Sequence, residues 1–183
     1  MAQAWRVART SSDRNRLPLD AAALQRLALT YVARYATTRA RLGSYLRRKL
    51  RENGWAGDVD PDVDALVART AQLGYVDDAL YARGRAGALE RRGLGPRRIA
   101  AALRDAGIEA EETAAISSEL SDNAWETALA FARRRRIGPF AKQPADDRAR
   151  RRGFAALIRA GHDPATARKI ADATPGELPE QWP

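Results

Sequence analysis

Apolar residues recur along this chain at helical spacing, and short runs of Gly, Pro and Asp interrupt them. After Asp20 the apolar positions fall on one face of a 3.6-residue period, namely Leu24, Leu27, Ala28, Tyr31, Val32 and Tyr35. Leu19 and Leu24 bracket Asp20 at the spacing of a hydrophobic staple, so Asp20 is predicted to cap a first helix. Tyr31 and Tyr35 lie on the apolar stripe and are predicted to join its core.

Two more helices are predicted to complete this first group. One follows Thr37-Thr38 and ends at Gly54-Trp55, and the other begins at Asp60-Pro61 and stops at Gly74. Aspartate is a good cap and proline suits the first helical position, which is why the second start is placed at Asp60-Pro61. The inward positions of the two helices are Leu42, Leu46, Leu50, Val63, Leu66 and Val67.

The middle of the chain carries the clearest helix boundaries. Val76 and Tyr81 bracket Asp77 as a second staple, so a helix is predicted to start at Asp77. Gly93-Leu94-Gly95 breaks that helix, and Pro96 supplies the fixed φ of a first helical position. The inward face of the next helix is Ile99, Ala102, Leu103 and Ala106, and its end is the left-handed glycine cap Gly107-Ile108.

Helical spacing continues in the last third of the chain. Asn123 and Glu126 have the spacing of a capping box, which predicts a helix start. A loop with Gly138-Pro139 follows, and after the helix that ends at Gly161-His162 a last helix is opened by Asp163-Pro164. The inward positions in this part are Trp125, Ala128, Leu129, Ala132, Phe154, Leu157 and Ile158.

The glycines that end helices are evenly spaced. Gly54 and Gly107 are 53 residues apart, and Gly107 and Gly161 are 54 apart. Helical units of constant length bury their faces against their neighbours, so we predict an all-α fold of three tandem three-helix repeats in an elongated, curved stack. The predicted parts are a flexible basic N-terminal arm at 1–18, repeats at 19–75, 76–121 and 122–175, a basic-flanked loop near 137–147 within the third, and a tail at 176–183.

The amino-acid composition argues against most enzymatic mechanisms. The 183 residues include no cysteine and one histidine, His162, so the chain has no disulfides, no thiolate metal site and no Ser-His or Cys-His nucleophile pair. His162 follows a cap glycine and is predicted to pack at a helix end. No stretch approaches the roughly 18 apolar residues of a membrane span. We predict a soluble, cytoplasmic protein that is not an enzyme and needs no cofactor or metal.

Two pairs of aspartates and one glycine-rich turn are candidate ligand sites. Asp77-Asp78 and Asp146-Asp147 have the chemistry for weak magnesium binding, but the first pair is predicted to cap a helix and the second to lie in a loop beside arginines. Structural roles are favoured for both. Gly93-Leu94-Gly95 follows a helix and lacks the third glycine and the GK[ST] of a phosphate loop.

Charge is more informative than any catalytic motif. The net charge is +9, and only Lys49, Lys142 and Lys169 among the 32 basic residues are lysines. Arginine suits planar contacts to phosphate or carboxylate, although a GC-rich genome produces the same bias. Between Leu129 and Arg152 nine basic residues face two aspartates, a local net charge of +7. Two arginine runs flank one loop there, which favours a patch that binds a phosphate backbone or an acidic protein surface.

The residue pattern resembles the RecX family, bacterial regulators of the RecA recombinase. The middle of the chain carries the resemblance, and the first group adds Arg39, Arg41, Leu46-Arg47-Arg48-Lys49-Leu50 and Gly54, with Leu42 and Tyr45 departing from the family pattern. The matching residues of the middle group, which we assign a structural role, are Gly74, Tyr75, Asp77, Asp78, Tyr81, Gly95, Pro96, Ile99, Leu103 and Gly107.

The resemblance implies a monomer that lies in the groove of RecA filaments and restrains ATP hydrolysis, strand exchange and filament growth during recombination, DNA repair and the SOS response. RecA is then the main partner, and single- or double-stranded DNA is a weak, electrostatic one. Two rival interpretations stay open. One is a stand-alone helical nucleic-acid-binding module, and the other is a helical scaffold that binds only protein.

The predicted contact residues share a basic side chain on an outward position. In the middle group they are Arg91, Arg92, Arg97 and Arg98, and in the first group Arg47, Arg48 and Lys49. The third group contributes Arg133, Arg134, Arg135, Arg136, Arg148, Arg150, Arg151 and Arg152.

Overall fold

The computed structural model describes residues 17–180, and within that range it contains nine α-helices and no β-strand. The helices are α1 (Ala21–Arg34), α2 (Arg39–Asn53), α3 (Val63–Gln72), α4 (Asp78–Arg91), α5 (Pro96–Arg104), α6 (Ala110–Ser121), α7 (Ala124–Arg135), α8 (Asp147–Ala160) and α9 (Pro164–Asp172), with a 3-10 turn at Gly138–Phe140. The predicted all-α class is confirmed. None of these described helices is long and apolar enough to cross a membrane.

The chain divides into two compact units, Met1–Asp77 and Asp78–Pro183. The described part of the first unit holds α1 to α3, and that of the second holds α4 to α9. The division lies two residues beyond the predicted end of the first repeat. Most of the predicted N-terminal arm and the last three residues of the predicted tail lie outside the described residues.

The first unit closes one hydrophobic core with three helices. Its buried members are Leu19, Leu24, Ala28, Leu42, Leu46, Val63, Val67 and Val76. A short extended contact joins the segment before α1 to the segment after α2, because the backbone N–H of Leu19 donates to Gly54 O at 3.0 Å and that of Ala56 donates to Leu19 O at 2.9 Å. Tyr35 is half exposed, at 50%, so its predicted place in the core is wrong. It is the C-cap residue of α1 and so stands beyond the last helical residue, Arg34.

Side-chain caps set the helix starts of the first unit. Asp20 accepts from the backbone N–H of Ala23 at 2.6 Å, as predicted. The cap of α3 is Asp62, which accepts from the N–H of Ala65 at 2.8 Å, and the predicted cap Asp60 is wrong. Pro61 therefore precedes the cap instead of opening the helix. The two aspartates have the same chemistry, and only the one whose carboxylate reaches a free N–H of the first turn acts as cap.

The second unit contains two core clusters. The first comes from α4, α5 and α6, with buried Ala82, Ala86, Leu89, Ile99, Leu103, Ala106, Ile108, Ile116 and Leu120. The second comes from α7, α8 and α9, with buried Trp125, Ala128, Ala132, Leu157, Ala167, Ile170 and Ala171. The finer prediction of three tandem repeats in an elongated stack stays a prediction.

Two predicted boundaries in the second unit are corrected. Asn123 stands at the N-cap of α7 but makes no side-chain capping bond, so the predicted capping box with Glu126 is wrong. Only two residues separate α6 from α7, and they leave Asn123 at φ −104° and ψ 10°, outside the extended region that a cap needs. Asp146 is the last residue of the predicted loop, but Asp147 does not lie in it. Asp146 caps α8 through the N–H of Ala149 at 2.6 Å, and Asp147 is its first residue.

Candidate interaction surface

The glycine-rich turn between α4 and α5 packs directly on the turn between α8 and α9. The N–H of Gly95 donates to Ala160 O at 2.8 Å, and that of Arg97 donates to Gly161 O at 3.3 Å. A Cβ on Gly95 would lie 2.5 Å from Gly161 O, so no side chain fits there. The Gly93-Leu94-Gly95 motif therefore brings two helix turns together. Close backbone approach explains Gly95, and a positive φ of 75° explains Gly93.

His162 is a packing residue at this contact, as predicted. It is 2% exposed, its ring lies 5.6 Å from that of Phe131, and its Nε2 is 3.1 Å from Gly93 O. Because a carbonyl only accepts, Nε2 carries the proton and donates. Burial lowers the pKa of His162, and the bond to Gly93 and the charge of Asp163 only partly oppose that effect. The ring is thus neutral near pH 7.

Both arginine runs of the last third reach one cleft. The C-terminal end of α7, the 3-10 turn and the first half of α8 enclose about 560 Å³. Arg135 and Arg136 line it from the end of α7, and Arg150 and Arg152 line it from α8. We call these four residues and the space between them the arginine cleft. The structure brings together side chains that are 14 or more positions apart in sequence.

Few carboxylates neutralise the arginines around this cleft. Arg150 pairs with Asp147 at 2.5 Å, one turn back on the same helix. Arg136 and Arg152 pair with no carboxylate within residues 17–180, and Arg148 and Arg151 on the outer face of α8 do not either. Asp146 also lines the cleft, caps α8 and keeps its negative charge. Because Arg136 and Arg152 form no ion pair, the four arginines still give the cleft a net positive charge beside Asp146 and Asp147.

Three arginines at the end of α7, including Arg135 of the cleft, make contacts that are not ion pairs. Arg133 lies over the ring of Phe140 at 5.0 Å, so this phenylalanine anchors the loop. The guanidinium of Arg134 donates to the backbone O of Arg91 at 3.0 Å. Arg135 lies 5.8 Å from the ring of Phe131. These contacts orient the side chains without removing their charge, since neither a ring nor a carbonyl is an anion.

The basic cluster of α2 is arranged differently. Arg47 pairs with Asp64 of α3 at 2.5 Å. Arg48 and Lys49 both reach Glu52, at 3.3 and 2.7 Å. The same two cations lie 5.5 and 6.0 Å from the ring of Tyr45, which stacks on Tyr31 with centroids 4.2 Å apart. Three cations thus face two carboxylates within one small region of the first unit.

The predicted contact residues of the middle group all project outward. Arg91, Arg92, Arg97 and Arg98 are exposed. Arg97 has an anionic neighbour in Asp163, the cap of α9. Burial raises the pKa of Asp163, but hydrogen bonds from the side chain and N–H of Thr166 and the N–H of Ala165 outweigh it, and with Arg97 they lower the pKa below its usual value.

A second cleft, of about 810 Å³, lies beside Arg97 and was not predicted. Its walls are the first turns of α5 and α9 and the junction of α6 with α7. Trp125 contributes the largest apolar side chain, and Arg168 and Lys169 contribute charge from α9. The sequence signals were the predicted contact residue Arg97 and the adjacent cations Arg168-Lys169, and sequence alone does not show that Trp125 lies beside them. We call this space the α5–α9 cleft.

The described part of the chain contains no cluster of metal-ligating side chains. No group of three or more His, Asp or Glu side chains between residues 17 and 180 is arranged to hold an ion. The aspartate pair at Asp146-Asp147 is occupied by its bonds to the first turn of α8 and to Arg150. Its geometry is that of a helix cap.

One bacterial regulatory protein is similar to this chain over most of its length. The regulatory protein RecX of Myxococcus xanthus (strain DK1622) is 35% identical over 162 residues, which cover 83% of this chain and 86% of that protein. No family model matches the chain.

Two crystal structures have a similar fold. RecX from Lactobacillus salivarius aligns with a TM-score of 0.61 at 18% identity and covers 81% of this chain and 92% of its own. A second structure, titled regulatory protein RecX, aligns with a TM-score of 0.59 at 21% identity and covers 82% of this chain and 73% of its own. At these identities the two structures show the shared helical fold alone.

Proposed function

The chain belongs to the RecX family of regulatory proteins, and on that premise we propose that it binds RecA nucleoprotein filaments in their groove and modulates, mainly inhibits, RecA. The affected steps are ATP hydrolysis, strand exchange and filament growth in recombination and DNA repair. The action is regulatory and needs no cofactor, and the protein acts as a monomer in the cytoplasm.

The arginine cleft is the observation that carries this proposal. It gathers Arg135, Arg136, Arg150 and Arg152 around one concave surface, and of these four only Arg150 forms an ion pair among residues 17–180. A filament on DNA offers acidic protein surface and phosphate close together, and arginine forms planar bidentate contacts with both. A cleft of this charge therefore suits a composite partner better than a neutral protein surface does.

The helical organisation supports binding to a repeating partner. We propose that helices α1–α3, α4–α6 and α7–α9 are three tandem repeats, each with its own core cluster. Basic residues stand on the outside of all three groups. A chain of similar units that touches several identical subunits gains avidity without any single strong contact.

The ATPase rate of RecA on single-stranded DNA tests the proposal. Substoichiometric amounts of this chain are expected to lower the rate, because one bound chain restrains several protomers. The variant Arg135→Gln/Arg136→Gln/Arg150→Gln/Arg152→Gln is expected to require at least about tenfold more protein for the same effect. Arg47→Gln/Arg48→Gln/Lys49→Gln, which removes three charges from the ion-paired cluster of α2, is the comparison variant and is expected to have the smaller effect. An unchanged ATPase rate at every ratio of the two proteins would contradict the proposal.

A stand-alone nucleic-acid-binding module is the second candidate. The uncompensated arginines of the cleft favour it, since they suit a phosphate backbone without any RecA. Salt titration and the ATPase assay together separate the two. About five neutralised phosphates on a single strand correspond to a log–log slope near −3.5. Such a slope on bare DNA, together with no effect on RecA, would support the second candidate.

A further inference from the structure

The α5–α9 cleft is a second concave site, distinct from the arginine cleft. It encloses about 810 Å³, and the two clefts share no lining residue. All its walls belong to the second unit, Asp78–Pro183. Its volume falls within the range of pockets that hold small ligands or the anchor side chains of peptides.

The inner wall of this cleft is apolar. Trp125 is 9% exposed and lines the cleft. Pro96, Ala124 and Ala165 surround it, and their small side chains leave the depth of the cleft open. A site of this shape takes one bulky apolar side chain, because such a group gains both burial and contact with the indole.

The rim of the cleft is cationic. Arg97 stands on one side at the start of α5, and Arg168 and Lys169 stand on the other, on α9. Asp163 is the single carboxylate of the lining, and it is engaged with the N–H groups of Ala165 and Thr166 at 2.9 and 3.1 Å. The charges that face outward from the cleft are therefore mainly positive, which complements an acidic partner.

Two of the rim cations are held in place by aromatic rings. The guanidinium of Arg168 lies 5.1 Å from the ring centroid of Phe154, and Nζ of Lys169 lies 5.8 Å from that of Trp125. Held side chains lose less conformational freedom on binding than free ones.

We propose that the α5–α9 cleft binds an acidic peptide segment of a partner protein, with one bulky apolar side chain against Trp125 and flanking carboxylates on Arg97, Arg168 and Lys169. The proposal goes beyond the proposed function, since it requires neither RecA nor the arginine cleft. It states the chemistry of a contact that a filament, or another acidic protein, makes with this surface.

Titration with a synthetic peptide tests the proposal on the full chain. The probe is a short acetylated and amidated peptide of aspartates and glutamates with one central phenylalanine. Two companion peptides change one feature each, alanine for the phenylalanine or asparagine and glutamine for the acids. Binding is followed by calorimetry and by the indole N–H resonance of Trp125, assigned with Trp125→Phe. The acidic phenylalanine peptide is expected to bind and to move this resonance.

Variants of the chain separate the apolar wall from the rim. Ala165→Phe fills the cleft and is expected to weaken binding by at least about tenfold, as loss of a central anchor does at interfaces. Ala114→Phe, on the exposed face of α6, is its control. Arg97→Gln/Arg168→Gln is expected to weaken binding by about fivefold or more, and it is compared with Arg83→Gln/Arg85→Gln, which makes the same change of charge on α4.

Each other outcome would overturn the proposal. Equal binding of the uncharged peptide would make the rim irrelevant, and unchanged binding to Ala165→Phe would place the peptide elsewhere. Oligothymidylate that moves the Trp125 resonance and is sensitive to Ala165→Phe would assign the cleft to nucleic acid. Circular dichroism confirms that each variant is folded. Failure of the RecA assay with intact peptide binding, or the reverse, shows which of the two proposals has failed.

Discussion

The basic cluster of α2 and the arginine cleft of α7 and α8 contain similar side chains in different electrostatic settings. In α2, Arg47 pairs with Asp64, and Arg48 and Lys49 pair with Glu52. In the cleft, Arg150 pairs with Asp147 and also lies near the charges of Asp172 and Asp146, while Arg136 and Arg152 form no ion pair among residues 17–180. Exposed ion pairs add little stability, about 0–1 kcal/mol each, but they lower the charge that a partner meets.

A count of basic residues therefore does not locate a binding surface. Both regions were predicted as contacts on their arginine content. The neutralising partner of Arg47 lies 17 residues away on another helix, so its effect belongs to the fold. We therefore expect the arginine cleft to dominate binding to anionic partners, and the α2 cluster to contribute mainly to local structure.

The largest effect is expected from a variant that removes the positive charge of the arginine cleft. Arg135→Gln/Arg136→Gln/Arg150→Gln/Arg152→Gln removes the charge of the cleft and is expected to weaken binding to oligothymidylate by about 10- to 100-fold at low salt. The slope of log affinity against log salt should fall in magnitude by about 3, since each lost phosphate contact accounts for about 0.7 on a single strand. Fluorescence anisotropy at several salt concentrations measures both quantities.

The α2 variant Arg47→Gln/Arg48→Gln/Lys49→Gln is the control for that measurement. Its change in slope is expected to stay below about 1, because these cations already have carboxylate partners. A larger effect from α2 than from the cleft would reverse the comparison.

The contact between the α4–α5 turn and the α8–α9 turn is expected to require glycine at position 95. Gly95→Ala places a Cβ 2.5 Å from Gly161 O and 2.7 Å from His162 N, so the two turns must separate. We expect a loss of about 1–3 kcal/mol in the free energy of unfolding, as for other overpacked sites. Denaturant unfolding measures it. Binding to oligothymidylate should change little in the folded variant, because the arginine cleft is formed within α7 to α9.

Gly84→Ala is the matched control for this substitution. Gly84 lies within α4, and a Cβ there meets nothing within 4 Å. Alanine is the better helix former by about 0.5–1 kcal/mol, so this variant should gain stability. If the two substitutions shifted stability by the same amount and sign, the close approach of the turns would not be what requires glycine at position 95.

The sequence predicted the helix boundaries better than the surfaces. Caps such as Asp20 and Asp163 and the helix-ending glycines act within one turn, so local spacing reveals them. The choice of Asp62 over Asp60 and the missing capping bond of Asn123 depend on backbone angles that neighbouring helices impose. The sequence did place both arginine runs around one loop. It did not show the carboxylate partner of Arg47, because that contact joins two different helices.

The stability of the two units is expected to depend differently on pH. Burial lowers the pKa of His162 in the folded second unit. The unfolded chain then binds a proton more readily, so stability is full above the ordinary histidine pKa of about 6.5 and declines as the pH falls toward the folded value. The first unit has no histidine. Hydrogen exchange between about pH 7.5 and 5.5 should show loss of protection around α8 and α9 before any loss in α2.

A substitution at the same position checks the assignment to His162. His162→Gln removes the titrating ring and leaves an amide that can donate to Gly93 O. The variant is expected to be less stable at neutral pH, because glutamine packs less well beside Phe131, but its stability should not decline between about pH 6.5 and 5.5. A pH dependence that persists in this variant would assign the effect to other groups.

The smallest expected effect turns the α2 cluster into a second cationic surface. Glu52→Gln/Asp64→Asn removes both neutralising carboxylates and leaves Arg47, Arg48 and Lys49 in place. Affinity for oligothymidylate is expected to rise by about two- to fivefold at low salt and to return to the wild-type value at high salt. Glu119→Gln/Asp122→Asn makes the same change of net charge at exposed positions at the end of α6, so it reports the effect of overall charge. An equal gain in both variants would show that net charge, and not the pairing of individual arginines, distinguishes the two regions.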